Sequence, residues 1–110
     1  MDDTAYNFVP AKASTRIAIT SIFLYGDKNV GANDATVEIY EADAIESTTV
    51  LKSIIRLEIP KNQSVSLTGL NLITSEGIFL NGKTNDNNIY AVIGAYYVTG
   101  RIDEQNLIIL

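Results

Sequence analysis

The chain has 110 residues, enough for one domain and too few for a second independent core. Its composition, 46% hydrophobic and 19% charged, is that of a globular protein and excludes intrinsic disorder. The net charge of −5, with eight basic residues scattered singly among thirteen acids, argues against nucleic acid and anionic membranes as ligands, because both are held by clustered Lys and Arg.

In chain order, the dominant signal is alternation with a period of two, interrupted by Gly, Asn, Asp and Pro. Residues 5–9 read as a short strand that stops at Pro10. Residues 14–25 read as a long strand with Ile17, Ile19 and Phe23 on one face and Ala18, Ile22 and Leu24 on the other. Two apolar faces predict a strand whose outer side is also covered. Residues 26–34 are dense in Gly and Asn, which tolerate positive φ, and predict a loop.

Residues 35–41 form the next strand, with Val37 and Ile39 inward and Thr36, Glu38 and Tyr40 outward. The polar stretch 43–49 has room for a helical turn and is too short for a stable helix. Residues 50–59 alternate clearly, with Leu51, Ile55, Leu57 and Ile59 opposite Lys52, Ile54, Arg56 and Glu58, and Pro60 ends the strand. Residues 64–70 alternate again, Leu72 and Ile73 follow, and a turn is expected at Glu76 and Gly77. Residues 78–80 predict a short strand closed by the turn-forming dipeptide Asn81-Gly82, with a polar loop at 85–88. Residues 89–98 finish the pattern, with Ile89, Ala91, Ile93, Ala95 and Tyr97 opposite Tyr90, Val92, Gly94, Tyr96 and Val98.

Seven or eight short strands without a helix of normal length predict an all-β domain, an antiparallel β-sandwich that is jelly-roll-like or immunoglobulin-like. Residues 1–100 constitute the sandwich and residues 101–110 a C-terminal arm or edge strand. The arm ends in Leu107, Ile108, Ile109 and Leu110, four apolar residues that call for cover. Either they complete the domain's own sheet, or they add a strand to a neighbouring subunit through main-chain hydrogen bonds.

Chemistry is sparse. Without histidine or cysteine there is no Ser-His-Asp or Cys-His arrangement, no disulfide and no thiolate metal site. Neither GxGxxG nor GxxxxGK[ST] occurs, so the usual phosphate loops are missing and no cofactor is implied. Glu38, Glu41, Asp43 and Glu46 cluster in sequence, as a glycosidase pair about 5 to 9 Å apart would require. A chain this short rarely builds the cleft such a pair needs, so solvated acids are the better reading. Asp27, Asn29 and Gly31 resemble the start of a calcium loop, but the sixth position is Ala32 where Gly belongs and Glu38 lies in a strand, so a turn is preferred and no metal is expected. Six Tyr and no Trp give little for sugar stacking; Tyr is enriched at protein interfaces, which selects Tyr40, Tyr96 and Tyr97 as candidate partner contacts. The acidic start Met1-Asp2-Asp3-Thr4 lacks the features of a signal peptide, and no apolar run reaches membrane length; a chain made in a host cytoplasm is expected.

The order of these pieces resembles small structural proteins of tailed bacteriophages. The resemblance is carried by Val9-Pro10-Ala11 before the Ile-rich strand of Ile17 to Leu24, and by Ala35-Thr36-Val37-Glu38-Ile39-Tyr40. It continues through Ile59-Pro60 before Ser64-Val65-Ser66-Leu67, the Gly77-Ile78-Phe79-Leu80 strand and the final Ala95-Tyr96-Tyr97. It implies a non-enzymatic virion component: a capsid decoration or cement protein, or a neck or tail accessory. Its partners would be the major capsid protein, other virion proteins, or further copies in a homo-oligomer. A receptor- or carbohydrate-binding tip using the 27–34 and 85–88 loops is the alternative. With Tyr40, Tyr96 and Tyr97, the C-terminal Leu107, Ile108, Ile109 and Leu110 complete the expected contact set.

Overall fold

The computed structural model describes residues 5–27, 30, 35–86 and 88–99. These form eight strands: β1 (Tyr6–Val9), β2 (Thr15–Gly26), β3 (Ala35–Ala42), β4 (Lys52–Ile59), β5 (Gln63–Leu67), β6 (Leu72–Ile73), β7 (Phe79–Thr84) and β8 (Ile89–Thr99). All pairings are antiparallel, and the described residues contain no helix. One sheet has the order β1-β7-β3-β4. In the other, β2 is central, with β8 along one side and β5 and β6 end to end along the other.

The two sheets pack face to face over a core of Ile17, Ile19, Ile22 and Leu24 from β2, Val37 and Ile39 from β3, Ile59 from β4, and Ile78 and Leu80. The all-β sandwich expected from the alternation is therefore the fold observed.

Its local phase depends on bulges. In β2, Ile19 pairs with Ala95 and Ser21 with Gly94, which leaves Thr20 as an extra residue. A bulge shifts the alternation by one, so Ile17 and Ile19 before it and Ile22 and Leu24 after it all reach the same dry layer. The expectation of an outer side also covered is thus corrected beyond the bulge: Phe23 lies on the exposed face and Ile22 and Leu24 continue the inner one, while Ala18, before the bulge, is buried on the outer side. Two polar groups of Thr20 find partners. Its carbonyl accepts from the Leu70 N–H at 2.9 Å, and its hydroxyl donates to the Gly94 carbonyl at 3.1 Å. A second bulge leaves Ile54 of β4 unpaired, between the Ile39–Ile55 and Tyr40–Ser53 pairs.

One further expectation changes. Asn81-Gly82 does not end a strand but lies in the middle of β7, where both residues are buried. Gly82 is needed there for space, because a Cβ would press into the ring of Phe8. Segment 43–49 holds no helix, as its length implied; it makes a turn in which the Ser47 N–H donates to the Ala44 carbonyl. The turn at Gly77 is as expected, with φ of 65°.

Candidate functional site

The long uncharged strand β8 reads Ile-Tyr-Ala-Val-Ile-Gly-Ala-Tyr-Tyr-Val-Thr. Its alternation turns Ile89, Ala91, Ile93 and Ala95 onto the core and leaves Tyr90, Val92 and Tyr96 in solvent at 58%, 64% and 59% exposure. β2 lies beside it in register and extends the same face. Phe23 is opposite Val92, Tyr25 opposite Tyr90, and Ala18 opposite Tyr96. Exposed Ile73 flanks Ala18 on the other side. The Tyr25 and Tyr90 rings stack with centroids 6.2 Å apart. The product is a row of apolar and aromatic surface across one sheet, with Asp27 near the Tyr90 hydroxyl at one end and Arg16, whose Nη1 donates to the Thr74 carbonyl, at the other. Contiguous exposed apolar surface on a folded domain marks a place where another molecule binds.

Of the sequence-derived contacts, Tyr96 belongs to this face. Tyr97 points the other way along β8; its hydroxyl donates to the Pro10 carbonyl at 2.8 Å and Lys12 Nζ sits 5.4 Å over its ring, which ties the segment after β1 to the end of β8. Tyr40 requires a correction. It shares the outer face of its sheet with Glu38, as expected, yet it is 0% exposed. The 43–50 segment folds over it, its hydroxyl donates to the Ser47 carbonyl at 2.7 Å, and Lys83 lies 5.4 Å above its ring. Asn81 holds the same cover down by donating to the carbonyls of Ala44 and Ser47, and it accepts from Asn7 Nδ2. Tyr40 therefore has no surface for a partner. Leu107, Ile108, Ile109 and Leu110 lie outside the described residues, as does most of the 27–34 loop.

The clustered acids do not converge. Glu38 faces outward, 3.9 Å from Lys83 Nζ. Glu41, one parity step away on β3, faces inward and is buried, with its Oε2 accepting the Ser75 N–H at 3.3 Å. Asp43 and Glu46 are exposed in the following segment. Strand geometry thus puts the first two on opposite faces, where they cannot share a substrate. Among the described residues, no group of three or more His, Cys, Asp or Glu side chains is placed to hold a metal ion.

Phe23, Tyr90 and Val92 are the surface residues the sequence-derived set omitted. The outward direction of Tyr90 and Val92 was legible from alternation. Phe23 was hidden by the phase change, whose one trace in the sequence is the adjacent polar pair Thr20-Ser21 inside an apolar strand. Comparison with protein-family models, with curated proteins and with solved structures returns no match.

Proposed function

We propose that this chain is a non-enzymatic structural protein that works by adhesion to other proteins in an assembly, and, in the finer form, that it is a capsid decoration protein of a tailed bacteriophage. The observation that carries the reading is the uncharged face formed by Phe23, Tyr90, Val92 and Tyr96. On a chain of net charge −5, a face without Asp, Glu, Lys or Arg suits burial against protein, where interface cores are depleted of charge and enriched in Tyr and Phe. The separation of Glu38 from Glu41 supports the non-enzymatic side of the reading. Repetition by particle symmetry would add many weak contacts into stable attachment. The neck or tail accessory role differs only in location and uses the same face.

The test is association with particles. Phage particles purified from cells that make the chain should contain it in many copies, and Val92→Asp, which leaves the core untouched, should strip it from them. Particles that carry none of the wild-type chain would overturn the virion reading.

A further inference from the structure

β8 has β2 as its only strand partner, so among the described residues one edge of its eleven residues is open. The other sheet edges are protected. β4 carries Lys52, Arg56 and Glu58 and is bulged at Ile54. β1 has four residues, is bulged at Phe8 and is followed by Pro10. β5 and β6 have only five and two residues. Short strands, charges, bulges and prolines are the devices that prevent edge-to-edge pairing, and β8 has none of them in its own sequence. Moreover, its inward residues Ile89, Ala91, Ile93 and Ala95 pack on the core yet all retain some exposure, unlike Ile17, Ile19, Ile22 and Leu24 of the neighbouring strand.

We propose that the open edge of β8 pairs antiparallel with β8 of a second copy, joining the two β2-centred sheets into one continuous sheet. A second copy is the occupant that the strand's own chemistry favours. The chain's net charge of −5 would repel another copy at most surfaces, but β8 brings no charge to the seam. Antiparallel self-pairing also satisfies the side-chain parity that keeps core residues on the core side, provided the two-fold axis passes through a residue and not between two. With the axis at Gly94, all eleven residues pair. Large then meets small along the seam: Ala91 opposite Tyr97 and Ile93 opposite Ala95 inside, Val92 opposite Tyr96 outside, and Gly94 opposite itself. At the usual rise such a seam is about 37 Å long.

This proposal rests on the assembly reading and names its first partner, but the two fail separately. A monomeric chain found in particles would sink the pairing alone, and a β8-paired dimer absent from every particle would sink the virion role alone. The deciding experiment is light-scattering mass measurement of the full chain, combined with amide exchange by NMR. The expected result is a mass of twice the 12.0 kDa chain, with alternate β8 amides, those turned away from β2, as protected as their neighbours. The double variant Val92→Lys, Tyr96→Lys changes two solvent-exposed side chains; it should keep the wild-type β-sheet circular-dichroism spectrum, weaken the dimer at least tenfold and return those amides to fast exchange. Since the chain has no cysteine, mixing Val92→Cys with Tyr96→Cys chains should give cross-linked pairs on oxidation, because opposed residues lie within disulfide reach. A mass of one chain at all concentrations overturns the proposal, as does a dimer whose alternate β8 amides exchange freely. Protection of those amides in a monomer, covered by the chain's own residues, overturns it equally.

Discussion

Tyr40 and Asn81 sit opposite each other on β3 and β7, and together they hold the 43–50 segment against the sheet. The Ser47 carbonyl accepts from both, so the two side chains differ in what their loss leaves behind. Tyr40→Phe removes one donor while Asn81 still serves the carbonyl, and should cost about 1 kcal/mol in urea unfolding. Asn81→Leu removes three hydrogen bonds of a fully buried side chain, to the carbonyls of Ala44 and Ser47 and from Asn7 Nδ2, and should cost about 2–3 kcal/mol. Burial raises the Tyr40 pKa above its ordinary 10.0, the Asn81 hydrogen bond opposes this, and the nearby Glu38 charge adds to it. The unfolded chain therefore loses this proton first as the pH rises, and the stability of the neutral phenol is lost above pH 10.0. The melting temperature should fall through that range, and the Tyr40→Phe protein should show a smaller fall. Alternation aimed Tyr40 outward correctly; its burial was not legible, because the cover comes from a segment without any periodic signal.

At the level of the strand, one residue reorganises β2. Deleting Thr20 would remove the bulge and leave Ile17, Ile19, Ile22 and Leu24 on alternate positions of a regular strand, all still facing the core. The deletion variant loses only the Thr20 contacts to Leu70 and Gly94, about 1 kcal/mol each, and should keep a cooperative thermal transition at a lower temperature. Gly26, at the end of the same strand, is constrained by a close approach: an added Cβ would strike the Pro60 carbonyl oxygen, a main-chain atom with little room to move. Gly26→Ala should be destabilised by about 1–3 kcal/mol, measurable as a lower urea midpoint with an unchanged slope. The positions of the strands were readable to within a few residues. Their phase was not, because a bulge is stabilised by its neighbours, here Leu70 and Gly94, which lie far away in the sequence.

At the scale of the whole molecule, the chain passes between the sheets repeatedly: from β1 to β2, β2 to β3, β4 to β5, β6 to β7 and β7 to β8. Most of the pairings in the fold must therefore close long loops before any contact is gained. Folding in milliseconds to seconds is expected, slower than for a helical domain of equal length, and stopped-flow fluorescence of the tyrosines can time it. The amino-acid order alone determined that this protein is all-β and that its side chains alternate between wet and dry along each unbulged stretch, since a period of two is a local property of an extended chain. It also determined that no charge lies on β8. Only the tertiary structure decided that Ile17, Ile19, Ile22 and Leu24 share one face of β2, that Tyr40 is covered, that Glu38 and Glu41 are divided, and that β8 pairs with β2 alone among the described residues. Each of these depends on which strand lies beside which, and that order is set by packing between residues distant in the chain.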